Sequence, residues 1–183
     1  PSQAQRDAAG QRIFDAFLRM VFELGRLHAD PHPGNYLFDE EGGVALLDFG
    51  CTRSLPEPLS AGVARAWSAH LRGAAGVAEL HGAYAGLGLI APGLSLDGFA
   101  AELLPILQPL LDWQVAPFRA ARFDFRSRAP LPRMGAEQQR MARQCLHSLP
   151  PELPFFDRSW MGLNRLLGQL GARVQTTNPW IHQ

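Results

Sequence analysis

The stretch LHADPHPGNYLFDEEGGVALLDFG, from Leu27 to Gly50, decides how this chain is read. It holds two aspartates beside turn-forming residues, Asp30 and Asp48, with Asn35 between them. Pro31, Pro33 and Gly34 forbid a regular element, so residues 28–35 read as a loop. Tyr36-Leu37-Phe38 and Val44-Ala45-Leu46-Leu47 read as two short strands. Asp39-Glu40-Glu41-Gly42-Gly43 joins them as a solvated hairpin turn. Such a hairpin folds Asn35 and Asp48 back toward each other.

Asn35 follows Asp30 by five positions, and Asp48 follows Asn35 by thirteen. That order and spacing are those of a protein-kinase-type site: a catalytic-loop Asp, a metal-binding Asn, and the Asp of Asp-Phe-Gly. Moving a γ-phosphoryl group spreads negative charge over several oxygens, which a divalent cation must face. Mg²⁺ takes hard oxygen ligands, and the Asn35 amide and Asp48 carboxylate supply them while leaving room for water and phosphate. Asp30 is placed to orient or accept the proton of the attacking hydroxyl. The competing reading is a polar loop followed by an ordinary hairpin, and five fixed identities in register weigh against it. His28 and His32 with Cys51 make a poor transition-metal set on a Pro-rich loop. His28 reads instead as packing beneath the loop, His32 as shaping its turn, and Cys51 as a small residue beside the nucleotide pocket.

Outward from this segment the pattern is helical. Ile13, Phe14, Phe17, Leu18, Val21, Phe22 and Leu24 recur at helical spacing over about residues 5–24, with Gly25 as the stop. Beyond Gly50 the strand signal disappears, and helices are expected over about 60–72, 77–87, 95–113 with a bend at Pro105, 135–149 and 157–174. The expected fold is mainly α with a short β-hairpin, as one domain over residues 1–183. Its chemistry lies in residues 27–50, and a helical remainder occupies 57–176.

The whole chain sets bounds on function. Its 183 residues are 46% hydrophobic with a formal net charge of zero, so no global field favours nucleic acid. Apolar runs stop well short of the ~20 residues a membrane span needs. The polar opening Pro1 to Arg6 has no signal-peptide pattern, and the absence of an initiator Met points to a fragment. Two cysteines, Cys51 and Cys145, make no disulfide framework, and the expected setting is the reducing cytoplasm. Between Pro117 and Arg143 seven arginines face only Asp124 and Glu137, with Phe118, Phe123, Phe125 and Met134 interleaved. That segment is expected either to meet an anionic membrane surface or to be a solvated loop with its aromatics turned inward.

The segment HADPHPGN…LLDFG resembles the catalytic core of the UbiB/AarF (ADCK) family of atypical kinases. Weaker marks extend the resemblance: Phe123 to Phe125, Leu149 to Glu152, Arg158, Gly162, Leu170 and Ala172. It implies a protein-kinase-like C-lobe with Asp30 catalytic and Asn35 and Asp48 as the metal- and nucleotide-binding residues. It also implies ATP and Mg²⁺ as cofactors, kinase or ATPase activity, and a role in ubiquinone and prenyl-lipid metabolism at membranes. A prenyl-lipid is then an implied partner.

Two departures from ordinary protein kinases follow. His28-Ala29-Asp30 stands where those have His-Arg-Asp, and no Ala-Pro-Glu follows Gly50, so a phosphorylated activation loop and a peptide-docking apparatus are not expected. All 17 basic residues are Arg. Without a phosphate-binding Lys, a Gly- or Ala-rich phosphate loop or the family's Lys-x-Gly-Gln, the chain reads as the C-lobe alone. Its partner is the N-terminal lobe of the same protein, and the fragment by itself is expected to be inactive. Two other readings stand beside this one: a small-molecule phosphotransferase of the aminoglycoside or choline kinase type, and a non-catalytic kinase-like scaffold.

Overall fold

A computed structural model describes residues 1–39 and 43–182. Helix α1 (Gln3–Phe22) leads into strand β1 (Arg26–His28). A 3₁₀ turn at Pro33–Asn35 opens the hairpin of β2 (Tyr36–Phe38) and β3 (Val44–Leu46), and β4 (Thr52–Ser54) follows. Then come α2 (Glu57–Leu71), α3 (Val77–Gly86), the single turn α4 (Leu96–Gly98) and α5 (Leu104–Val115). Strand β5 (Arg122–Asp124), α6 (Ala136–Cys145), α7 (Leu153–Leu170) and β6 (Arg173–Gln175) complete the chain. Among the described residues the protein is thus mainly helical with three small antiparallel sheets.

Each element has a local cause. Ser2 and Gln5 form a capping box at the start of α1, Ser2 Oγ accepting from Gln5 N and Gln5 Oε1 from Ser2 N at 2.8 Å. Gly25, at φ +58°, turns the chain into β1. In the hairpin Tyr36 faces Leu46 and Phe38 faces Val44, as the two apolar runs predict. The turn between them falls largely on residues 40–42, outside the described residues. The bend expected near Pro105 is a π turn, Phe99–Leu103, running directly into α5, which a ring without an N–H at position 105 favours.

The strand pattern does not end at Gly50. β4 pairs with β1 (Arg26 to Ser54, His28 to Thr52), and β5 pairs with β6 (Arg122 to Gln175, Asp124 to Arg173). Three residues carry too little alternation to mark a strand, and β1 lies partly in the segment read as a loop.

The chain divides into two compact units. The first comprises Pro1–Ser60, Ala120–Arg128 and Pro151–Thr177. Its core is aromatic. Phe14 lies 6.1 Å from Phe125 and 6.5 Å from Trp160, and Phe17 lies 5.7 Å from Trp160 and 6.3 Å from Phe156. These rings join α1 to α7, and each large side chain fully withdrawn from water contributes about 1.5–3 kcal/mol. The second unit comprises Ala61–Arg119, Ala129–Pro150 and the described residues from Asn178 on. Its core gathers Leu80, Ala83, Ile90, Phe99, Leu103, Leu111, Ala142 and Cys145.

Candidate active site

The site is built within the first unit, around the loop after β1. Leu27, His28 and Ala29 are buried, so the loop leaves the core already anchored, and Ala29 N donates to the Cys51 carbonyl. His32 N donates to the Asp30 carbonyl at 2.8 Å and Asn35 N to the His32 carbonyl at 3.0 Å. His32 Nδ1 accepts from Gly34 N at 3.0 Å and so caps the 3₁₀ turn, the turn-shaping part assigned to it. From below, Gly162 of α7 lies directly beneath Pro31, the residue after Asp30.

Within this loop Asp30 and Asn35 meet. The Asn35 side-chain amide donates to Asp30 Oδ2 at 2.8 Å and to the Asp30 carbonyl at 3.1 Å. That fixes the amide flip: the nitrogen faces Asp30, leaving Oδ1 as a free acceptor oxygen among the described residues. The hairpin then returns the chain, because Leu47 N donates to the Asn35 carbonyl at 2.7 Å, one residue before Asp48. Asp48 therefore leaves β3 at the end of the hairpin where Asn35 enters β2.

Asp48 is the one non-glycine residue with positive φ among the described residues, at +51°. Asp tolerates this left-handed conformation better than most residues, at a cost on the order of 1 kcal/mol. Two contacts hold it there. His28 Nε2 lies 2.8 Å from the Asp48 carbonyl, and Gly50 N donates to Asp48 Oδ1 at 3.0 Å. A carbonyl only accepts, so His28 carries its hydrogen on Nε2. Asp48 Oδ2 keeps no protein partner among the described residues.

This donor set suits a hard divalent cation. Asn35 Oδ1 and the exposed Asp48 carboxylate are oxygens, and the remaining positions are left to water and phosphate. Among the described residues no group of three His, Cys, Asp or Glu side chains is placed to hold a metal, so the His28, His32 and Cys51 combination forms no cluster. Tyr36, next to Asn35, has its phenol held above the usual range, first by burial and then by the negative charge of Asp30.

Several contributions come from residues distant in the chain. Ser159 of α7 donates to the Phe155 carbonyl at 2.8 Å and stands 3.4 Å from the His28 carbonyl, bracing the loop. Arg53 lies over the Phe155 ring at 3.7 Å. Arg158 and Arg165, seven residues apart on α7, line a cavity that includes Asp30. Arg158 is among the marks of the resemblance, whereas only its i, i+7 spacing from Arg158 could have drawn attention to Arg165. The Arg-rich segment has its aromatics turned inward: Phe118 and Phe125 are buried and Phe123 is half-buried. Arg119 is tied to Asp112, Arg122 to Asp7 and Arg126 to Asp124, while burial pushes the Arg128 guanidinium down to about 10.

Comparison with known proteins fits this geometry. The ABC1 atypical kinase-like domain matches residues 2–81, which contain the whole loop and hairpin. Protein ACTIVITY OF BC1 COMPLEX KINASE 3, chloroplastic, of Arabidopsis thaliana is 52% identical over 40 residues, 22% of this chain and 6% of that protein. ACTIVITY OF BC1 COMPLEX KINASE 1 of the same plant is 49% identical over 35 residues, 19% of this chain and 5% of its own length. The matched stretches are thus a small part of these relatives. A chain from the complex of Rv3197 with erythromycin from Mycobacterium tuberculosis superposes with a TM-score of 0.68 over 95% of this chain and 42% of that one. At 20% identity it shows a shared fold. Among the described residues no helix is long and apolar enough to cross a membrane. Residues 2–81, with the loop and hairpin, thus carry the match to the ABC1 (UbiB) family of atypical kinase-like proteins.

Proposed function

We propose that this chain is the C-lobe of an ATP-dependent phosphotransferase or ATPase of the UbiB type, acting in isoprenoid quinone or related lipid metabolism. The observation that carries the reading is the Asp30–Asn35 pair, 2.8 Å apart, with Asp48 brought to the same end of the hairpin. Asn35 Oδ1 and the Asp48 carboxylate would hold Mg²⁺, which when bound supplies positive charge against the phosphate oxygens of ATP. His28 fixes the Asp48 backbone, and Asn35 fixes the Asp30 carboxylate. Asp30 takes the proton of the attacking hydroxyl as its oxygen bonds to the γ-phosphorus and the bond to the ADP oxygen breaks. With water as acceptor the same step is hydrolysis.

An N-terminal lobe of the same protein completes the site in this proposal. It supplies the lysine that this chain lacks, and it covers Leu37, Phe38, Leu47 and Phe49, which are 56%, 47%, 39% and 63% exposed. The prenyl-lipid substrate rests on the resemblance of HADPHPGN…LLDFG to the UbiB/AarF family.

The test is Mg²⁺-dependent ATP turnover in the full-length protein. Asp48→Asn is expected to abolish turnover by removing the anionic ligand. Asp30→Asn is expected to keep most nucleotide binding while turnover falls by about 10²–10⁴. Wild-type turnover in Asp48→Asn would overturn the assignment.

A further inference from the structure

Beside Asp30 lies a cavity of about 380 Å³, with no hairpin residue in its lining. Its lining runs from Asp30 to Pro33 on the loop and then crosses to one face of α7. Arg158, Gly162, Arg165, Leu166 and Gln169 recur there at three- and four-residue spacing, which puts them on one stripe of the helix. Neither Asn35 nor Asp48 lines it. The cavity therefore opens on the Asp30 side of the site, where an acceptor hydroxyl must approach, and not on the side of the metal-binding pair.

Its charge is unbalanced. Arg158 Nη2 stands 4.0 Å from Asp30 Oδ1, too far for a hydrogen bond, and its side chain is 66% exposed. Arg165 makes no ion pair among the described residues. Two arginines thus share the cavity lining with one carboxylate, and that carboxylate already accepts from Asn35. Pro31, Pro33 and Leu166 add an apolar wall. The volume lies at the small end of the ~300–1,000 Å³ usual for small-molecule sites.

We propose that this cavity is the acceptor subsite, in which Arg158 and Arg165 hold a phosphate or carboxylate group of the molecule whose hydroxyl meets Asp30. The proposal rests on the phosphotransfer reading above and names the acceptor's chemical class. Guanidinium forks match such planar or tetrahedral anions with paired hydrogen bonds. The two arginines are about 10 Å apart along the helix axis at 1.5 Å per residue. They are long enough to converge on one anion, with Arg158 keeping it next to Asp30. The apolar wall then receives the non-polar part of the acceptor.

The test uses phenyl phosphate and phenol as probes on the full-length protein, by calorimetry without Mg²⁺ or nucleotide. Phenyl phosphate is expected to bind and phenol not to. The double variant Arg158→Gln, Arg165→Gln is expected to weaken phenyl phosphate binding at least tenfold, Arg165→Gln alone several-fold, and Asp48→Asn not at all. Affinity for Mg-ATP in the double variant should stay within twofold of wild type. Equal phenyl phosphate binding by wild type and double variant overturns the subsite, whatever Mg-ATP does. If Mg-ATP binds neither protein but phenyl phosphate binding depends on both arginines, the phosphotransfer reading falls and the anion site stands. A sedimentation arm with phosphatidic acid in phosphatidylcholine vesicles separates the sources of the anion. Vesicle binding lost in the double variant, with no phenyl phosphate binding to wild type, assigns the anion to a lipid headgroup. Absence of binding to both phenyl phosphate and the phosphatidic acid vesicles overturns the proposal.

Discussion

Gly162 of α7 lies so close to Pro31 that a Cβ built on it would stand 2.0 Å from Pro31 Cγ and 2.5 Å from its Cβ. Non-bonded carbons of two residues do not sit that close, so the Asp30 loop rests on the helix only because residue 162 has no side chain. Gly162→Ala must push Pro31, and Asp30 with it, away from α7. Overpacking of this kind costs about 1–3 kcal/mol. A displacement near 1 Å at the reacting group costs about 10² in rate. We expect a lowered Tm and a turnover loss of that order, with the helical circular dichroism retained. Unchanged Tm and turnover would show that the loop is not clamped here.

His28 acts on Asp48 through the backbone, since its Nε2–H donates to the Asp48 carbonyl while Asp48 sits at φ +51°. Removing the ring leaves a part-buried carbonyl without its donor, at about 1–3 kcal/mol. In the full-length protein His28→Ala is expected to raise the Mg²⁺ concentration for half-maximal turnover about tenfold, with a smaller effect on maximal rate. His28→Gln, which keeps a donor, should recover part of the loss. A Mg²⁺ titration of His28→Ala that overlays the wild type would reject this positioning role.

What the sequence carried and what it hid follow from distance along the chain. α1 was legible because Ile13, Phe14, Phe17, Leu18 and Val21 repeat on one buried face, and the hairpin because two short runs flank a polar turn. Asp30, Asn35 and Asp48 were legible as a set because their spacing is local and the hairpin closes it. β1–β4 and β5–β6 were not, since each strand has three residues and its partner lies far away, as Arg122 does from Gln175. The supports of the loop were hidden for the same reason: Gly162 beneath Pro31 and Ser159 near the His28 carbonyl meet only after α7 packs on α1. Single-sequence pattern reports faces of elements, and it does not report which faces meet.

The two cysteines should separate cleanly by reactivity. Cys51 is exposed just past Asp-Phe-Gly. Cys145 is buried in the second unit, where burial first and then Glu102 push its thiol pKa up. Iodoacetamide at neutral pH should modify Cys51 in the folded protein, and Cys145 only in denaturant. Mass spectrometry after partial labelling reads the order. Labelling of Cys145 first would contradict the packing of Ala142 and Cys145 against Leu103 and Ile106.

Asp124 sets an acid limit on the first unit. Its carboxylate accepts from the Arg126 side chain at 2.7 and 3.1 Å, from Arg126 N at 3.0 Å and from Arg173 Nε at 3.1 Å. The Arg126 side chain is the largest influence, and together these donors hold the carboxyl far below its ordinary value of 3.8 although burial acts the other way. A carboxylate depressed in the folded state adds stability that is fully present above its unfolded value. That stability is lost as pH falls from near 3.8 toward the depressed folded value. Asp124 is one-third exposed, so the gain is on the scale of a surface network, about 1 kcal/mol. Asp124→Asn is therefore expected to melt a few degrees below wild type at pH 7, with the gap closing once the buffer is taken below pH 3.8. Added salt should narrow the gap at pH 7 as well, by screening the arginines. A difference in Tm that stayed constant from pH 7 to pH 2, or widened in acid, would show that the Asp124 charge is not what joins β5 to β6.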